Sequence, residues 1–211
     1  MNTTDTESLD RLTRTRVALH AIAEALVAGP QYAAHGDIRL AVLPDGFAGW
    51  VAGGVRVVGT DLITPTGRFP IRGRLGDLAV AAGIESRSLT DVYSGGPAIT
   101  LDDPVDLDPA ATARILGALT AGDGALRELD PVQRPVLWPE HFDVGITVDR
   151  VNFGVSPGDG QVTVPYAYVG PWEVPAGDFW NQPFGAAREL PVPADPASVV
   201  EFFRTSRALL A

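Results

Sequence analysis

The 211-residue sequence contains no cysteine and no lysine, and its one methionine is Met1. Without cysteine there is no thiol nucleophile, disulfide, cysteine zinc site or thiolate-held iron–sulfur cluster. Without lysine there is no Schiff base, no lysine-anchored pyridoxal phosphate and no P-loop lysine. All 16 basic residues are therefore arginine, set against 26 acidic ones, for a formal net charge of −10. That excess repels a phosphate backbone and argues against nucleic acid as a partner. Long apolar runs are missing too: no window nears the roughly 18 consecutive apolar residues of a spanning helix, so no membrane partner is expected. The opening MNTTDTESLDRLTRTR lacks the basic start and apolar stretch of a secretory leader, and the expected location is cytoplasmic.

What is present reads as one globular domain over residues 1–211, with enough apolar sequence to bury a core. Leu9, Leu12, Leu19, Ile22, Ala23 and Leu26 recur at helical spacing and predict a helix over 6–28, stopped by Gly29-Pro30. Arg16, His20 and Glu24 fall on a neighbouring polar stripe. Residues 36–74 read as antiparallel strands, turned at Pro44-Asp45-Gly46 and Pro65-Thr66-Gly67, where proline presets φ and glycine accepts a positive one. A short helix over 75–82 ends at Gly83. Residues 84–108 read as a long loop, the one candidate for an internal division. Asp108-Pro109 and Asp195-Pro196 each open a helix, with Asp as the cap and Pro in the first turn. Between those helices, strands are predicted at about 144–153 and 162–169, with a proline-rich looped segment at 170–196. Hairpins segregated from helices, without regular β-α-β alternation, predict an α+β fold: antiparallel sheet from two groups of hairpin strands, packed with three or four helices.

Aromatic residues concentrate in one place. Nine of the 16 lie within residues 138–184, where an even spread would put between three and four. Such a cluster is either a core built on the second hairpin or the wall of a pocket or interface. In the same stretch, Glu140, His141 and Asp143 put three titratable groups within four positions. If extended, Glu140 and Phe142 face one side, and His141 and Asp143 the other. An imidazole beside a carboxylate suits a general base, or half of a metal site.

Gly154-Val155-Ser156-Pro157-Gly158 matches the G-x-S-x-G pattern of a nucleophile elbow, but two facts oppose it. Pro157 has no N–H for an oxyanion hole, and the last histidine, His141, precedes the serine. Ser156 is more simply part of a turn. Arg68, Arg72 and Arg74 share parity and would lie on one face of an extended strand, most simply a solvated one. Asp102, Asp103, Asp106 and Asp108 lack the glycine and terminal glutamate of a calcium loop.

Four blocks, LWPEHFD (137–143), VNFGVSPGD (151–159), PYAYVGPW (165–172) and FWNQPFGA (179–186), resemble the signature blocks of a family of high-GC bacterial proteins of uncharacterised function. The N-terminal helix and Val58-Gly59-Thr60-Asp61 fit the same pattern. The resemblance implies a free-standing domain whose motif-bearing half is 137–186. It brings no activity, cofactor or partner with it.

Two functional readings follow. In the first, a small molecule binds between the second hairpin and the 170–186 loop, lined by Trp138, Tyr166, Tyr168, Trp172 and Trp180, with Asn152 and Asn181 as hydrogen-bonders. Glu140, His141 and Asp143 supply its polar groups, and with no Lys or Cys the remaining chemistry is acid–base or metal-assisted, with His141 as base. In the second, the same aromatic loops form the interface of a non-enzymatic module, most simply a homodimer. The residues indicate no particular cofactor.

Overall fold

The computed structural model describes residues 3–94, 96, 98 and 100–210. Its strands are β1 (Leu40–Leu43), β2 (Gly46–Gly49), β3 (Arg56–Val58), β4 (Asp61–Thr64), β5 (Gly67–Pro70), β6 (Val136–Trp138), β7 (Asp143–Val148), β8 (Val151–Ser156), β9 (Tyr166–Pro171) and β10 (Ala186–Glu189). Among the described residues they form one antiparallel sheet in the order β10-β9-β8-β7-β6-β1-β2-β3-β4-β5. Two five-strand meanders thus meet at a seam, where β1 pairs with β6 through Leu40 and Leu137. The α+β fold holds, and its two groups of strands share a single sheet. Alternation decides which face is inward: Phe47, Val57 and Leu62 in one meander and Val144, Phe153 and Val155 in the other join one buried apolar cluster.

Helices cover that inner face. The helix α4 (Pro109–Leu129) packs on β7 and β8, while α5 (Pro196–Leu209) packs on α4 and β9. Both start as their Asp-Pro pairs require: Asp108 accepts from the Ala111 N–H, and Asp195 from those of Ala197 and Ser198. Gly122, which weakens α4 as a helix, lets it approach the sheet; a Cβ there would lie 2.6 Å from the Val155 Cβ. The short α3 (Leu75–Ala82) ends at Gly83 in the left-handed conformation. No helix among the described residues is long and apolar enough to cross a membrane.

The N-terminal helix differs from expectation. α1 (Thr3–Ile22) does not stop at Gly29-Pro30 but passes through a π turn (Ala23–Ala28) into α2 (Gly29–His35), capped by Gly36. The widened turn accommodates the proline ring, which in a regular helix strikes the carbonyl four residues back. The Gly29 N–H bonds to the Glu24 carbonyl, and the Ala25 carbonyl accepts instead from Arg87 in the 84–108 segment. Glu24, expected on a polar stripe, is 1% exposed. Its carboxylate accepts from the Leu89 N–H and the Tyr93 hydroxyl, pinning that segment to the π turn.

The second meander also corrects the strand boundaries. The strand expected over about 144–153 is a hairpin, β7–β8, turned at Asp149-Arg150 with both φ positive (50° and 64°). That expected over 162–169 begins at Tyr166, and the looped 170–196 segment contains β10. Asp149 suits the first position of a two-residue turn, but Arg150 stands where the glycine that announces one is expected. Arg68 and Arg74 do not form one cationic face; they pair with Asp61 and Asp102.

Candidate functional site

The face of β7–β9 turned away from α4 is built around two glycines. Gly145, Gly154 and Tyr168 are directly opposed across the three strands and share a face. The Tyr168 ring lies in the space the glycines leave: a Cβ at Gly154 would sit 2.5 Å from its Cζ, and one at Gly145 3.2 Å from its hydroxyl. Lying across β8, the ring reaches β7, and its hydroxyl donates to Asp143 Oδ2. Asp143 is 9% exposed, and its Oδ1 has no hydrogen-bond partner among the described residues. Burial pushes the Asp143 carboxyl above the usual carboxylate range, against the lowering effects of the Tyr168 hydroxyl and the nearby His141. Burial and the Asp143 charge push the Tyr168 hydroxyl up in turn.

The chain enters β7 through a tight turn, Pro139–Phe142, and so is not extended here as expected. Phe142 has φ 55°, a strained value for a bulky side chain. Its buried ring stacks on His20 at 5.4 Å and meets Phe47 edge-on at 5.5 Å. The His20 Nε2–H donates to the Pro139 carbonyl (2.7 Å), which leaves Nδ1 as the acceptor of a neutral ring. Burial pulls the His20 pKa down to about 4. The turn throws His141 outward. Its side chain is 65% exposed and lies 3.9 Å from the Glu140 carboxylate. No hydrogen bond joins it to Asp143 among the described residues, and the carboxylate beside it is that of Glu140.

A cleft of about 910 Å³ opens over this face. Asp143, Asn152 and Tyr168 line it, together with Trp172 and Phe184, which remain 64% and 39% exposed. Arg16 and His20, one helical turn apart on α1, line it as well. Ser156, Asp159 and Tyr166 add to its polar lining. Ser156 Oγ bonds within its own turn, to the Gly158 N–H and carbonyl. Burial opposes ionisation of Asp159, but the Tyr166 hydroxyl (2.6 Å) and the N–H groups of Val162 and Gln161 hold its carboxyl below the usual range. Burial lowers the Arg16 pKa, with Asp159 acting in the opposite sense.

Of the residues singled out in the sequence, Glu140, His141, Asp143, Asn152, Tyr166, Tyr168 and Trp172 line this one cleft. Trp138, Trp180 and Asn181 do not. The Asn181 amide bonds both ways to the Ala187 backbone, and Trp180 packs edge-on against Phe179 at 5.1 Å. Arg16, His20 and Phe184 were missed as lining residues. The i, i+4 spacing of Arg16 and His20 puts them on one helix face, but no local pattern says that this face meets residue 139. Among the described residues, no group of three His, Asp or Glu side chains converges as a metal would require. No family model, curated protein or solved structure matches the chain, and what the cleft can do follows from its own side chains.

Proposed function

We propose that the cleft binds a small amphipathic molecule, with a hydrogen-bond-donating group against Asp143 and an apolar body against Trp172 and Phe184. One observation carries this reading: a buried carboxyl, one of whose oxygens has no hydrogen-bond partner among the described residues, belongs to the lining of an open, aromatic-walled cleft. A buried acceptor without a partner costs free energy that a ligand donor would recover. Exposed Trp and Phe supply contact area at little cost in conformational entropy. A concave site in which aromatic side chains stand beside convergent polar groups is a usual form of small-molecule site. His141 is a residue of the mouth in this reading, and an acid–base step on the ligand would fall to Asp143.

A second reading is supported by the rim. Trp172, Phe184 and Val174 (43% exposed) are what the core of a homodimer interface would cover. Native mass spectrometry of the purified chain separates the two. Mass above 22.2 kDa that is lost on denaturation, and lost in Asp143→Asn, supports the ligand. A clean doubling that Trp172→Ala abolishes, with no added mass, replaces the ligand reading with the dimer.

A further inference from the structure

We infer that the ligand's other handle is a carboxylate held by Arg16, so that the cleft takes an amino-acid-type zwitterion with an apolar or aromatic side chain. This deepens the small-molecule reading and rests on it. In a chain with ten more acids than bases, nine of the arginines lie within 4.0 Å of a carboxylate. Arg16 is half-buried in the cleft and is not one of them. Among the described residues, its one hydrogen bond is a long 3.5 Å contact to the Thr163 carbonyl. The nearby acid is Asp159, whose two oxygens are already taken by the Tyr166 hydroxyl and by the Gln161 and Val162 N–H groups. His20, one turn along, is kept neutral by burial and adds no charge. The guanidinium therefore presents free N–H donors to the cleft.

A carboxylate fits that fork in two parallel bonds. One arginine balances one negative charge. A dianionic phosphate would bring a second charge beside Asp159 and Glu140 in a strongly acidic chain, so a monoanion is favoured. The unpartnered Asp143 Oδ1 asks for the reverse, a donor such as an ammonium. Arg16 and Asp143 thus call for opposite ends of a zwitterion, with Trp172 and Phe184 left for its side chain. A volume of about 910 Å³ admits a short peptide as readily as a free amino acid.

Four probes sharing one benzyl body test this: L-phenylalanine, glycyl-L-phenylalanine, 3-phenylpropanoate and 2-phenylethylamine. Each is titrated while the Trp172 indole N–H is followed by NMR. A zwitterion is expected to bind at least about tenfold tighter than the acid or the amine. Arg16→Gln should cost the acid and the zwitterions about tenfold and leave the amine unchanged, while Arg16→Lys recovers part of the loss. Asp143→Asn should weaken the amine and leave the acid unchanged. Tighter binding of the dipeptide than of phenylalanine identifies a peptide site; the reverse identifies a free amino acid. If the amine binds but the acid does not, or if Arg16→Gln leaves the acid unaffected, the carboxylate inference falls while the small-molecule reading stands. If none of the four binds, both fall.

Discussion

A carboxyl that burial holds above its ordinary range binds its proton more tightly in the folded chain than in the unfolded one, and Asp143 is such a group. Its contribution to stability is present at low pH and is lost as pH rises through the folded value. Asp143→Asn should therefore gain on the wild type as pH climbs from about 4 towards neutrality, and differ little near pH 3, in urea denaturation. Tyr168→Phe acts in the other direction. It removes the donor from Oδ2 and leaves both carboxyl oxygens without a partner, at a cost of about 1–3 kcal/mol in the same measurement. An Asp143→Asn variant as unstable at neutral pH as Tyr168→Phe would show the carboxylate to be well accommodated when charged. At this scale the sequence marks the right neighbourhood but not the right member. Glu140, His141 and Asp143 look equivalent by spacing. Only the left-handed Phe142, whose ring is claimed by His20 and Phe47, decides that Asp143 turns in and His141 turns out. A bulky residue at positive φ leaves no sequence signal, because its strain is offset by contacts distant along the chain.

Among the elements, the first meander is legible where the second is not, and turn chemistry is the difference. Pro44-Asp45-Gly46 and Pro65-Thr66-Gly67 place proline in their turns as expected, although Gly46 and Gly67 open β2 and β5 without the positive φ expected of them, and strands lie on both sides of each turn. The β7–β8 turn places Asp149 and Arg150 at positive φ with no glycine or proline to mark it, and a hairpin reads as one strand. That mismatch is a reservoir of strain. The double variant Asp149→Asn, Arg150→Gly supplies the residues a type I′ turn prefers and should raise stability by about 1 kcal/mol in thermal unfolding. The Arg150–Glu173 and Arg207–Asp149 contacts it disturbs are solvent-exposed pairs at 3.6 Å and of little consequence, while the Arg150 guanidinium, 5.1 Å over the exposed Trp172 ring, is lost as well and takes back part of the gain. Gly29-Pro30 misleads in the opposite way. It has the composition of a helix stop, yet the π turn before it absorbs the proline and frees the Ala25 carbonyl for Arg87.

For the molecule as a whole, His20 ties α1 to the entry of β7 and gives stability a second pH dependence. With a folded pKa near 4, against about 6.5 when unfolded, the unfolded chain takes up a proton that the folded chain refuses. Stability is full above pH 6.5 and falls as pH drops towards 4, by up to about 3 kcal/mol. His20→Phe keeps the stack on Phe142 and should flatten that acid limb in a Tm-against-pH series from 7 to 4. The cleft itself joins α1 to a segment some 120 residues away, the part of the site that no local pattern reports. Such distance is otherwise rare in the sheet. Eight of its nine strand pairings join neighbours in sequence, and the ninth, β1 with β6, does so through a single residue pair. Each meander can zip from its own turns, and the sheet closes only one long loop, at that seam. The loop-entropy cost of a wide sheet is thus incurred once, and the folding rate is set by a single closure rather than by ten strands.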